Sequence, residues 1–145
     1  MSNAEKLADI ITQLFMHCQE KEAKHVAQYG VSIADARCLR ILYEHQPLTV
    51  NHLAFQMSLT SSRITRIIDR LVRKQLVLRE AGTNDRRIFN LSLTPKGAKL
   101  AETLIADNLK IHEEILAHFP KADHSAMFNL LKKLNCAVED WLKKQ

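Results

Sequence analysis

The sequence is short of the residues that build irregular structure. Three glycines and three prolines in 145 residues leave little material for long loops, and a low-complexity or disordered chain is excluded. Cysteine is equally scarce: Cys18, Cys38 and Cys136 are odd in number, far apart and in no CxxC spacing. That pattern argues against a disulfide framework or a cysteine-rich zinc site and predicts free thiols. No apolar run approaches the roughly 18 residues of a membrane span, and no basic segment followed by an apolar run reads as a signal peptide. A cytoplasmic protein without a membrane partner is expected. A glycine-rich phosphate loop, GxSxG, HExxH and recognisable paired carboxylates are also missing, so the sequence predicts no catalytic residues, no cofactor and no enzyme.

What is present is apolar periodicity and cationic charge. The length suits one domain, residues 1–145, with a core that needs neither disulfides nor metal. Lysine and arginine outnumber aspartate and glutamate by 21 to 16, which points toward a polyanionic partner once the placement of the charge is known. Leu7, Ile10, Ile11, Leu14, Phe15 and Cys18 form the stripe of an amphipathic helix over about residues 7–28, ended by Tyr29-Gly30. Ser2-Asn3-Ala4 ahead of it has the look of a cloning remnant, although it follows Met1. Ser32 and Asp35 have capping-box spacing, and Ala36, Leu39, Leu42 and Tyr43 are expected to face inward until Pro47 stops the helix.

Thr49 is the expected cap of a short helix over 50–57, and Thr60 that of a second over about 61–74 after a break at Ser58-Leu59. The second puts Ile64, Ile67, Ile68 and Leu71 on one face. Next come β-prone Leu76-Val77-Leu78, turn chemistry over 81–85, and Phe89, Leu91 and Leu93 in alternation, which together read as one β-hairpin. Thr94-Pro95 opens a long helix reaching about Phe119-Pro120. Its apolar residues occupy more than one stripe, which suggests a partner chain. A last helix starts near Asp123 and carries Met127, Leu130, Leu131, Leu134, Val138, Trp141 and Leu142. The fold class is mainly α with a small β-hairpin wing, an α+β arrangement ordered α-α-α-α-β-β-α-α.

Residues 50–68 meet the requirements of a helix-turn-helix: Ala54 is the small residue where two helix backbones approach, and Leu53, Met57, Leu59, Ile64 and Ile67 pin the second helix to the first. Ser61, Ser62, Arg63, Thr65 and Arg66 are then exposed near its start, with Arg70 further along. Hydroxyls bond phosphates or base edges, and an arginine can grip guanine with both arms. A merely solvated basic face usually mixes signs for spaced ion pairs; this helix has five cations from Arg63 to Lys74 and Asp69 as its one acid. The hairpin tip adds Arg86 and Arg87 behind Asp85, which is placed to hold one of them, on a loop suited to a minor groove. A helix-turn-helix followed by a basic hairpin is the winged arrangement, and double-stranded DNA is the predicted partner.

The run Arg63-Ile64-Thr65-Arg66-Ile67-Ile68-Asp69-Arg70-Leu71, and Asp85-Arg86-Arg87 followed by Leu91, Leu93, Thr94 and Gly97, resemble the multiple antibiotic resistance regulator (MarR) family over nearly the whole chain. The resemblance implies a homodimer held by N- and C-terminal dimerisation helices, residues 1–30 and 95–145, around a DNA-binding lobe at 32–93. It implies a recognition helix beginning near Ser61, wing arginines in the minor groove, and control by a small effector, often an aromatic acid. Gln75 and Ser58 depart from it, standing where the family commonly has turn glycines.

Other readings remain beside it. Some relatives sense oxidants through a first-helix cysteine, and Cys18 lies near that region, although its apolar stripe suits a packed thiol. Cys18, Glu22 and His25 share a helical face at i, i+4 and i+7 beside His17, but no second cluster completes a metal site, and His112 with Glu113 is a poor complement. No metal is expected. A helical interaction module would have no use for arginines on both recognition helix and wing, and no aromatics are placed to stack on RNA bases.

Overall fold

Ser2, not Leu7, starts the first helix. In the computed structural model, which describes all 145 residues, the Ser2 hydroxyl accepts from the Glu5 amide while the Glu5 carboxylate accepts from the Ser2 amide, a reciprocal capping box. Helix α1 therefore runs Asn3–Ala27, and Ser2-Asn3-Ala4 is part of its beginning. Only His25 and Val26 of α1 are buried, so the stripe from Leu7 to Phe15 lies open to solvent.

Helix α2, Ile33–His45, carries the Ser32–Asp35 capping box in both directions. Its inward stripe is Asp35, Cys38, Leu39 and Leu42, spaced i, i+3, i+4 and i+7. Tyr43, expected inside, is exposed because those four residues already occupy the core face and Tyr43 lies about 100° around the helix from Leu42. The two-residue strand β1, Leu48–Thr49, follows. It corrects the expectation of a lone hairpin, since the sheet has three antiparallel strands in the order β1-β3-β2.

The helix-turn-helix is α3, Val50–Met57, and α4, Ser61–Arg73, capped by Thr49 and Thr60 through the amides of His52 and Arg63. The hairpin is β2, Val77–Ala81, and β3, Phe89–Leu93, with Val77 opposite Leu93 and Arg79 opposite Leu91. Helix α5, Pro95–Leu116, follows Thr94, whose hydroxyl accepts from the Gly97 amide, and α6 is Lys121–Lys143.

The chain divides into two compact units, Met1–Ala106 and Asp107–Gln145. In the first, Leu39, Leu42, Leu53, Ile64, Ile68, Leu71, Leu91 and Leu104 are among the residues of one continuous core. In the second, α6 buries none of its residues, and Leu130, Leu131, Val138, Trp141 and Leu142 are exposed.

Both departures from the family's turn glycines are left-handed residues: Ser58 has φ 52° and Gln75 has φ 59°. An L-residue pays a steric penalty there that glycine avoids, partly offset by glycine's greater chain entropy when unfolded. Gln75→Gly should therefore stabilise the protein by about 0.5–1 kcal/mol. Thermal denaturation checks this, with a rise of a few degrees expected.

Candidate nucleic-acid interface

Ala54 is buried between α3 and α4, and its carbonyl accepts from the Leu59 amide to close the turn. That packing leaves the first turn of α4 facing out. Ser61, Ser62, Arg63 and Arg66 are exposed, and Thr65 is half-buried. The hydroxyls are already oriented: Ser62 shares a 3.2 Å hydrogen bond with Thr60, and Thr65 donates to the Ser61 carbonyl at 2.9 Å. Ser61 donates to Asn51 Oδ1 at 3.2 Å, so Asn51 ties the start of α3 to the start of α4. Sequence reasoning missed Asn51, because nothing local marks a partner ten positions away.

Arg70 is set apart from the other α4 cations. Its Nε donates to Asp35 Oδ1 at 3.0 Å and its Nη2 donates to the same carboxylate, whose side chain is only 1% exposed. Burial by itself would push the Asp35 carboxyl up. The hydrogen bonds from Arg70 and from the Ser32 amide, with the charges of Arg70 and Lys74, outweigh it and hold the group below its ordinary value. Lys74 Nζ reaches the Gly30 carbonyl at 2.7 Å. Two of the five cations are thus anchored to the α1–α2 corner, and Arg63 and Arg66 are left exposed at the opposite end of α4 together with Arg73 on its surface.

At the hairpin tip the Gly82 amide donates to the Ile88 carbonyl at 2.7 Å and the Ile88 amide to the Asp85 carbonyl at 3.2 Å. Asp85 Oδ1 accepts from the Arg87 backbone amide at 2.9 Å, so the aspartate shapes the turn through the main chain rather than by gripping a guanidinium. Arg86 and Arg87 are both exposed. The first turn of α4 and the wing tip present exposed guanidinium groups, and α4 adds oriented hydroxyls, chemistry suited to phosphates and base edges.

The alternative clusters do not assemble. Glu22 is engaged by Arg37 through Nε and Nη2 at 3.1 and 2.7 Å, and His25 is buried edge-on to Tyr29. No three histidine, cysteine or acidic side chains lie close enough to hold a metal ion. Cys18, expected to pack, is exposed because its face of α1 is uncovered. No helix is long and apolar enough to cross a membrane. Cys38 is fully buried, and burial, aided by the nearby Asp35 charge, pushes its thiol up to about 12. The thiolate is the reactive form, so alkylation at neutral pH should modify Cys38 only after denaturation; modification in the native protein, read by peptide mass, would contradict its packing.

Residues 31–89 match the model of the MarR family. The HTH-type transcriptional repressor MdtR of Bacillus subtilis (strain 168) is 30% identical over 143 residues, which span 96% of this chain and 92% of the relative. The YusO protein from Bacillus subtilis superposes with a TM-score of 0.77 at 28% identity, over 94% of this chain and 99% of that one. Streptococcus pneumoniae FabT, solved in complex with DNA, shares the fold with a TM-score of 0.83 at 20% identity, over 96% and 99% of the two chains.

Proposed function

The chain belongs to the MarR family, a family of transcriptional regulators rather than enzymes, and from that premise we propose that it is a cytoplasmic repressor binding a pseudo-palindromic DNA operator as a homodimer. Two α4 helices related by the dimer axis enter major grooves about 34–36 Å apart, and the wings reach the adjacent minor grooves. Ser61, Ser62, Thr65, Arg63 and Arg66 act in the major groove, and Arg86 and Arg87, on a tip shaped by Asp85, in the minor groove. Arg70 serves this interface from behind, through Asp35, since two of its nitrogens are already committed.

The observation that carries the reading is the exposure of Arg63 and Arg66 on the first two turns of a helix packed as the second member of a helix-turn-helix, with Arg86 and Arg87 exposed on the hairpin that follows. Dimerisation is supported by the uncovered apolar residues of α1 and α6, which include Ile10, Leu14, Phe15, Leu130 and Trp141. A small effector, aromatic or other, of the kind the family resemblance implies acts by binding the operator-competent and incompetent states unequally.

The test is equilibrium binding to a random-sequence duplex pool at several salt concentrations, with sequencing of the retained DNA. Affinity should fall steeply with salt, and a palindromic motif bound by two chains should be enriched. On that duplex Arg87→Ala should weaken binding, and Arg63→Ala or Arg66→Ala should weaken it or relax base preference by roughly 1–3 kcal/mol. Unchanged affinity in all three variants would overturn the groove assignment. No binding at any salt would favour a helical interaction module instead.

A further inference from the structure

The inner face of the β2–β3 hairpin is apolar except at one position. The register puts Val77, Arg79 and Ala81 on the same side as Leu93, Leu91 and Phe89, and Val77, Leu91 and Leu93 are buried in the core. Arg79 is the next inward residue beyond Val77, where the hairpin leaves the core and becomes the wing. A leucine or valine would continue the apolar face. The arginine instead forms an ion pair, Nη1 lying 3.2 Å from Asp69 Oδ1, and its guanidinium lies over the Phe89 ring, 5.5 Å from the centroid. Its Nε is buried with no hydrogen-bond partner.

This arrangement is a poor device for stability. The Asp69 side chain is 45% exposed, so water and salt screen the pair, and the unpaired Nε works against whatever remains. Its geometry is more informative than its energy. Asp69 lies at the middle of α4, two turns along from Arg63, and Phe89 is the β3 residue nearest the wing tip. One side chain joins the helix that carries Arg63 and Arg66 to the outer end of the hairpin that carries Arg86 and Arg87.

We propose that Asp69, Arg79 and Phe89 form a brace that sets the wing against the recognition helix, so that the two sets of arginines engage one DNA site together. Arg79 is a positioning residue, and its role rests on the DNA-binding reading given above. The brace makes a prediction opposite in sign to simple electrostatics. Removing the Asp69 carboxylate takes a negative charge away from a polyanion and by charge alone should tighten binding. Loss of the brace should weaken it.

The variants are Asp69→Asn, Arg79→Gln and Arg79→Lys, the last keeping a cationic donor for Asp69. Two readouts are taken. In the free protein, amide hydrogen exchange at Glu80 and Asn90, the outer hydrogen-bonded pair of the ladder, should speed up in Arg79→Gln and Asp69→Asn, while Leu78 and Ser92 nearer the hairpin base stay protected. On the duplex enriched from the random pool, both variants should bind about five- to ten-fold more weakly, and Arg79→Lys should recover part of the loss. In the Arg79→Gln background Arg87→Ala should cost less than in the wild type, because a displaced wing has less to lose. Tighter binding by Asp69→Asn, or losses in Arg79→Gln and Arg87→Ala that simply multiply, would overturn the brace. So would unchanged exchange at Glu80 and Asn90, which is independent of DNA. Faster exchange in a protein whose wild type binds no duplex would instead overturn the DNA-binding reading, and with it the purpose assigned to the brace.

Discussion

Arg70→Met should destabilise the protein by about 3–5 kcal/mol at neutral pH, the range for stranding one member of a buried ion pair. Asp35→Ala should cost less. The two sides of the pair are unequal: the Asp35 side chain is 1% exposed and that of Arg70 is 39% exposed. Without Asp35, the guanidinium can turn to water, and the loss is the hydrogen bonds plus half of the α2 capping box. Without Arg70, a carboxylate is left in the core with the Ser32 amide as its remaining hydrogen-bond donor. The double variant should be milder than the sum of the singles, as for any two groups that interact directly.

The same asymmetry sets the response to pH. In the wild type the Asp35 carboxyl is held below its ordinary value of 3.8, so its contribution is fully present above that value and is lost as pH falls through the lower, folded-state one. In Arg70→Met, burial, which is the largest single influence on this group, is opposed only by the Ser32 amide and the Lys74 charge, so the carboxyl moves up from its wild-type position. The variant should therefore gain stability relative to wild type as pH falls and the carboxyl takes up a proton. Chemical denaturation at neutral and mildly acid pH checks this. A gap between wild type and variant that does not narrow on acidification would contradict the geometry at α2 and α4.

Gly97→Ala is the second substitution expected to have a large effect. A Cβ at Gly97 would lie 1.9 Å from the Leu76 carbonyl oxygen and 2.8 Å from its carbon. Both are backbone atoms, with no flexible side chain to give way. The first turn of α5 is held there by the Thr94 amide on the Leu76 carbonyl at 3.1 Å, the Thr94 hydroxyl on the Gln75 carbonyl at 2.7 Å, and Lys96 Nζ on the Lys74 carbonyl at 3.2 Å. Separating the two backbones enough to admit a methyl group strains or breaks these bonds. A loss of about 3 kcal/mol is expected, at the upper end for an overpacked site, with a fall of roughly 10 °C in Tm. Leu76 joins α4 to β2, so the disturbance lies between recognition helix and wing, and DNA affinity should fall in the variant even below its melting transition. Wild-type Tm would mean that α5 approaches Leu76 less closely than described.

The features legible in the sequence are those decided within one or two turns of chain. Ser32, Thr49 and Thr60 cap their helices through amides three residues ahead. The stripe of Ile64, Ile67, Ile68 and Leu71 is buried as its spacing requires. The exposed arginines at the start of α4 follow from the same periodicity, because a helix that buries one face must present the other, and those of the wing follow from the turn chemistry between β2 and β3. The strand at Leu48–Thr49 was not legible, since two residues carry no period and its partner is Leu91. Nor was the burial of Asp35, which reads locally as a capping residue and nothing more.

The sequence by itself determined the six helices and the hairpin, the helix-turn-helix and the basic surface, because caps, stripes and turns are short-range interactions between residues that chain connectivity already holds together. The tertiary structure alone decided how Arg70 is used, why residue 97 is glycine, and what Arg79 meets. Those outcomes depend on contacts such as Arg70 with Asp35, 35 residues apart, and Gly97 with Leu76. Such contacts form only when packing of the apolar faces offsets the entropy of closing the intervening loops, and no local pattern records which polar groups that packing will bring together.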